Sequence, residues 1–256
     1  MKLEELIKVV DRLRGPDGCP WDKEQTRDSL RPYLIEELYE LLDAFDENDS
    51  DHIKEELGDL LLQIALHSQI AKEEGLFEID DVIEGIVSKM VRRHPHVFGD
   101  KDFKTSADVS KWWEEHKRSE KKKVRSILDG VPKTLPSLLR AQELQAKASG
   151  VGFDWDNIED VFKKLDEEVG EFKRALLKKD YSNVEDELGD IFFVLVSISN
   201  FVKVNPEDAL RKTISKFIAR FEHIERIAAE RGMEVSDMKL SEMEACWNEA
   251  KGHHPN

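Results

Sequence analysis

Four acidic residues in the first half of this chain, Glu37, Glu40, Glu56 and Asp59, read E-x-x-E and then E-x-x-D. Glu168, Glu171, Glu187 and Asp190 repeat the pattern in the second half at a constant offset of 131 residues. Neighbours repeat as well: Glu36-Glu37 matches Glu167-Glu168, and Glu56-Leu57-Gly58-Asp59 matches Glu187-Leu188-Gly189-Asp190. Residues three apart on a helix share a face, so each tetrad is two acidic pairs that a helical hairpin can bring together. Carboxylates held that close repel one another, and a hard divalent cation is the natural compensation. Mg²⁺ takes oxygen ligands and completes its shell with water and phosphate, with Mn²⁺ as a substitute. A lone E-x-x-E is ordinarily a solvated face. A whole tetrad kept through a duplication whose surroundings have diverged is a stronger signal. The turn Asp49-Ser50-Asp51-His52 became Asp180-Tyr181-Ser182-Asn183.

A second, looser repeat carries cations and indoles. Lys89 and Arg93 match Lys216 and Arg220, and Trp113 and Lys117 match Trp247 and Lys251. Such cations can hold phosphate oxygens, and an indole can stack on a base. Gly58 and Gly189, inside helical patterns, suggest close approach of another group. His94 and His96 read as structural, because a site of this kind prefers oxygen to imidazole. No nucleophile–base pairing and no phosphate-binding glycine loop is legible.

The elements that must position these residues read as helices. Leu34, Leu38, Leu41, Leu42 and Phe45 give a helical stripe over Ser29–Glu47. Further helices are expected from His52 to Glu74, ending at Gly75, from Asp80 to His94, and from Asp108 to Lys122. His94 to Thr105 reads as a loop. The second half repeats the plan over Asn157–Lys179, Ser182–Val204, Pro206–Arg231 and Ser241–Lys251, entered by a helix over Ser137–Ala148. Strand patterns are lacking. Lys121-Lys122-Lys123, Gly130-Val131-Pro132 and Leu135-Pro136 read as a linker. The expected organisation is thus all-α, a tandem repeat of two helical domains of four-helix-bundle type, each completed by dimerisation. The domains are residues 1–120 and 137–256, with a linker at 121–136.

Composition narrows the function. Of 256 residues, 37% are charged, and the net charge is −16. That disfavours nucleic acid or an anionic membrane as the primary partner. No run approaches the ~20 apolar residues of a membrane span, and the N-terminus lacks a signal-peptide core. Cys19 and Cys246, the two cysteines, make neither a metal spacing nor a disulfide framework. A cytoplasmic protein with reduced thiols is expected.

Several motifs resemble the MazG family of nucleoside triphosphate pyrophosphohydrolases, in the all-α NTP pyrophosphatase superfamily. They are Cys19-Pro20-Trp21-Asp22 with Gln25-Thr26, Pro32-Tyr33-Leu34 running into Glu36-Glu37-Leu38-Tyr39-Glu40, and Glu55-Glu56-Leu57-Gly58-Asp59. Arg92-Arg93-His94-Pro95-His96-Val97-Phe98-Gly99 and Val151-Gly152-Phe153-Asp154-Trp155 complete the likeness, which spans nearly the whole chain. Arg27 departs from the family's usual His after Gln-Thr, a local change that could alter substrate preference in the first half. The resemblance implies hydrolysis of ribo- and deoxyribonucleoside triphosphates between the α and β phosphates. A Mg²⁺-activated water would be the nucleophile, and Glu167 or Glu168 would accept its proton. Both tetrads would be catalytic metal ligands. Lys216, Arg220, Trp247 and Lys251, with Lys89, Arg93, Trp113, Lys117 and Trp21, would bind substrate. A house-cleaning role and a homodimer are also implied. Two alternatives stand beside this: a close all-α relative acting on dUTP or phosphoribosyl-ATP, and a regulatory helical protein that binds nucleotide or metal with one or both sites inactive.

Overall fold

The computed structural model describes residues 2–105, 108–109, 112–113 and 126–253. The chain divides into two compact units, Met1–Lys121 and Lys122–Asn256, and each is described by itself. Among the described residues the regular structure is helical throughout. Lys117 and most of the expected helix over Asp108–Lys122 lie outside the described residues.

The first unit opens with α1 (Lys2–Arg14) and the short α2 (Pro20–Glu24), neither of which was expected from the sequence. Next come α3 (Arg31–Glu47) and α4 (Ser50–Glu73), a hairpin, then α5 (Ile79–Arg93) and α6 (Pro95–Phe98), a single turn inside the expected loop. Val10 of α1, Leu30, and Ala65, Leu66 and Ile70 of α4 are buried together, so α1 lies along the second half of α4. Arg14 fastens the junction. It pairs with Glu73 at 2.8 Å and donates to the carbonyls of Asp22 and Gln25. The Trp21 ring meets Tyr33 edge-on at 5.9 Å, one turn ahead of Glu37. Helix α4 stops where Gly75 takes a φ of 70°, with Leu76 N–H donating to the Ala71 carbonyl.

The second unit runs α7 (Ser137–Ser149), α8 (Ile158–Lys178), α9 (Tyr181–Phe201), α10 (Pro206–Glu230), a 3-10 turn (Val235–Asp237) and α11 (Leu240–His253). Helices α8 and α9 form the matching hairpin. Helix α7 is tied to α9 by Gln142 and Gln145, which bond Asn200. Ile224, Ala228, Met238 and Cys246 make a small core joining α10 to α11. Helix α9 ends at Phe201, short of the expected Val204, because Lys203 turns left-handed and Val204 N–H reaches back to the Ser199 carbonyl.

The two hairpin turns are copies. Asn48 and Lys179, 131 residues apart, both adopt left-handed φ, 55° and 57°. Asp49 and Asp180 follow, each donating its N–H to a buried alanine carbonyl, Ala44 or Ala175. Each aspartate then caps the next helix, Asp49 accepting from Asp51 and His52 N–H and Asp180 from Asn183 N–H. Register across each hairpin is therefore set by the same local chemistry.

Candidate metal centre

In each hairpin the acidic pairs meet. In the first unit Glu37 of α3 and Glu56 and Asp59 of α4 bring one oxygen apiece within 4.8 Å of one another. In the second, Glu168 and Glu171 of α8 and Glu187 of α9 do the same. The triads are not identical subsets of the two tetrads: Glu40 is left out of the first and Asp190 out of the second. Both still act on their neighbours, Glu40 raising Glu37 and Glu56, and Asp190 raising Glu187.

Burial makes these clusters costly when empty. Glu56 is 6% exposed and Glu168 is 5% exposed. Loss of water, followed by carboxylate neighbours, pushes Glu37, Glu56 and Glu187 above the usual carboxylate range. One oxygen of Glu56 and the matching oxygen of Glu187, Oε2 in both, are buried without a hydrogen-bond partner. A buried carboxylate oxygen lacking a donor forfeits solvation that a bound cation would restore. Two such atoms at matching positions are what a divalent ion with oxygen ligands fits.

Five flanking residues that the motif reading passed over hold the carboxylates. The Gln63 amide offsets part of the rise at Glu37, and Asn183 does the same at Glu187. His52 Nε2 lies 3.3 Å from Glu56. Lys164 pairs with Glu168 at 2.7 Å and with Glu167 at 2.9 Å, while Arg174 pairs with Glu171 at 2.9 Å. Helical spacing was the available signal, since His52, Asn183 and Lys164 each precede their carboxylate by four residues.

The looser cation–indole alignment has a structural counterpart. The Arg93 guanidinium lies 5.0 Å from the Trp113 ring centre, and Arg220 lies 5.5 Å from that of Trp247. Each expected arginine is thus laid on its expected indole. Lys89 is half-buried and Lys216 exposed. Lys251 is exposed and donates to Asn248 on its own helix. The Arg220–Trp247 pair belongs to α10 and α11, whereas the acidic cluster belongs to α8 and α9.

Other expectations resolve locally. A Cβ added at Gly58 or Gly189 meets nothing within 4 Å, so neither glycine marks a close approach within its unit. His94 Nδ1–H donates to the Met90 carbonyl at 2.7 Å and its ring edges onto Trp113, a packing role. Arg27 forms a surface ion pair with Glu74, at the far end of α4 from Glu56 and Asp59. Both cysteines are free. No described helix is long and apolar enough to cross a membrane.

Comparison with known proteins agrees with this duplicated architecture. The MazG nucleotide pyrophosphohydrolase domain is matched twice, at residues 25–98 and 157–225. The chain is similar to the nucleoside triphosphate pyrophosphohydrolase/pyrophosphatase MazG of Thermotoga maritima, 45% identical over 97% of this chain and 95% of that protein. It is also similar to the nucleoside triphosphate pyrophosphohydrolase of Escherichia coli K12, 40% identical over 98% of this chain and 97% of that one. A solved structure of a MazG-related protein from Thermotoga maritima superposes with a TM-score of 0.40 at 28% identity, covering 45% of this chain and 98% of that one. With its domain present twice and relatives matched almost end to end, the chain belongs to the MazG family.

Proposed function

We infer that this chain hydrolyses nucleoside triphosphates, ribo and deoxyribo, at the α–β phosphoanhydride bond, giving a nucleoside monophosphate and pyrophosphate. The observation that carries the reading is the pair of matched acidic clusters, each with a buried carboxylate oxygen that lacks a partner. Relatives named as nucleoside triphosphate pyrophosphohydrolases support the substrate class. The domains are residues 1–120 and 137–256, and large apolar side chains left exposed on both hairpins favour a second copy as cover.

The ligands for Mg²⁺ or Mn²⁺ are Glu37, Glu56 and Asp59 with Glu40 beside them, and Glu168, Glu171 and Glu187 with Asp190 beside them. A divalent ion there supplies Lewis-acid charge that favours a deprotonated water and offsets charge on phosphate oxygens. The remaining work belongs to side chains. Arg93 and Arg220 present guanidinium N–H groups to phosphate oxygens, each oriented by its indole. Lys89, Lys216, Lys251 and Lys117 add diffuse positive charge around the leaving pyrophosphate. Trp113, Trp247 and Trp21 offer flat apolar faces to the base. Glu167, which is exposed and shares Lys164 with Glu168, accepts a proton from the attacking water on this reading.

Product analysis tests the reading. The chain is incubated with a panel of ribo- and deoxyribonucleoside triphosphates, with Mg²⁺ and with chelator, and products are resolved by anion-exchange chromatography. Monophosphate with pyrophosphate, and only with metal, is the expected result. Diphosphate with inorganic phosphate would place the chemistry at the other bond, and binding without turnover would favour a regulatory protein.

A further inference from the structure

The two acidic clusters share a frame but are held in different ways. In the first unit Glu37 is eased by Gln63, a neutral amide that is itself 5% exposed and whose Oε1 is buried without a partner. Glu56, 6% exposed, keeps one orphan oxygen and turns the other toward the His52 imidazole at 3.3 Å. Among the described residues no lysine or arginine forms an ion pair with Glu37, Glu40, Glu56 or Asp59. The second unit differs. Lys164 lies 2.7 Å from Glu168 and Arg174 lies 2.9 Å from Glu171, so two of its three clustered carboxylates already carry a cation. At the 131-residue offset those cations correspond to Tyr33 and Asp43, and the place of Gln63 is taken by Val194.

Charge turns this difference into a difference in affinity. A divalent ion entering the first cluster meets carboxylates whose mutual repulsion is relieved by an amide and an imidazole. In the second cluster it meets carboxylates already neutralised by fixed positive charge, which repels it at short range. Lys164 matters more than Arg174, because its ammonium bridges to a buried carboxylate while the Arg174 pair is open to screening by water. The neutral holder of the first cluster leaves its full negative charge available to the ion; an orphan carboxylate oxygen is present in both clusters, on Glu56 and on Glu187, so the fixed cations are what separates them.

We propose that the two clusters are divalent-cation sites of unequal affinity. The Glu37–Glu56–Asp59 site fills at a lower metal concentration than the Glu168–Glu171–Glu187 site, and Lys164 sets the difference. This rests on the metal-binding reading of both clusters given above.

The test uses Mn²⁺ alone, without nucleotide, titrated into the full chain and followed by the electron paramagnetic resonance signal of the free ion. It is run at about pH 8.5, above the ordinary imidazole range. Two classes of site separated by at least about tenfold in Kd are expected. Glu56→Gln, supported by Asp59→Asn, removes the tighter class, and Glu187→Gln removes the weaker one. Lys164→Met tightens the weaker class by about tenfold and leaves the tighter one unmoved. Circular dichroism confirms that each variant is folded. Two equal sites, loss of the tighter class in Glu187→Gln, or an unmoved weaker class in Lys164→Met would each overturn the proposal while leaving both clusters as metal sites. No Mn²⁺ bound at millimolar concentration would overturn the metal reading itself, and the proposal with it.

Discussion

Glu37, Glu56 and Glu187 are acids raised by burial first and by neighbouring carboxylates second. A raised acid holds its proton more tightly in the folded chain than in the unfolded one. Folding then takes up protons, and stability falls as pH rises from the ordinary carboxylate pKa through the raised values. Metal-free protein is therefore expected to lose stability through these groups as pH rises above the ordinary carboxylate pKa. Mg²⁺ held as proposed above would bind the ionised forms and compete with the protons, so its stabilisation is expected to grow as pH rises. Thermal melts with and without Mg²⁺ check both slopes. The double variant Glu56→Gln/Glu187→Gln isolates them from the general repulsion of an acidic chain. It is expected to melt higher than wild type without metal, and Mg²⁺ is no longer expected to raise its melting temperature. At this scale the acidic clusters were legible, because eight acids kept their spacing through a duplication. Their holders were not. Gln63, His52 and Lys164 are single residues of common types, and Gln63 and Lys164 do not recur at the 131-residue offset.

The hairpins are the elements that carry the acidic clusters, and their turns decide where the acids meet. Asn48 suits a left-handed φ, as its short polar side chain tolerates that region, whereas Lys179 does not share that advantage. Lys179→Gly is expected to stabilise the second unit by about 0.5–1 kcal/mol. Asp180→Ala is expected to cost about 1 kcal/mol through loss of the helix cap. Urea unfolding of both variants checks the two signs. Most helices were legible from a period near 3.6, including both hairpins and their order. Helix α1 was equally legible, since Leu3, Leu6, Ile7, Val10 and Leu13 fall at helical spacing. The single turn α6 could not be read from periodicity, because four residues behind Pro95 carry no period. At Gly58 and Gly189 the space beside the missing Cβ is open within each unit, so packing inside the unit is not what the glycines serve.

Each unit leaves large apolar side chains exposed on its hairpin. Leu41 is buried in α3, yet Leu38 and Phe45 of the same stripe are about half exposed, as are Phe192, Phe193 and Leu195 of α9. An exposed apolar area of this kind on helical hairpins calls for a partner surface. Sedimentation equilibrium is expected to give twice the 29.6 kDa chain mass; a monomer at all concentrations would show that these faces stay open. The duplication itself was the plainest feature of the sequence, but the unequal holding of its two sites emerges only when side chains are placed. Hydrolysis is assigned above to the acidic clusters. Its most direct measurement is pyrophosphate release from a nucleoside triphosphate with Mg²⁺, comparing the folded Glu56→Gln/Glu187→Gln double variant with wild type. Loss of several kcal/mol of charge stabilisation corresponds to a rate about a thousandfold lower or less. Undiminished release by the double variant would contradict the account and place the chemistry elsewhere in the chain.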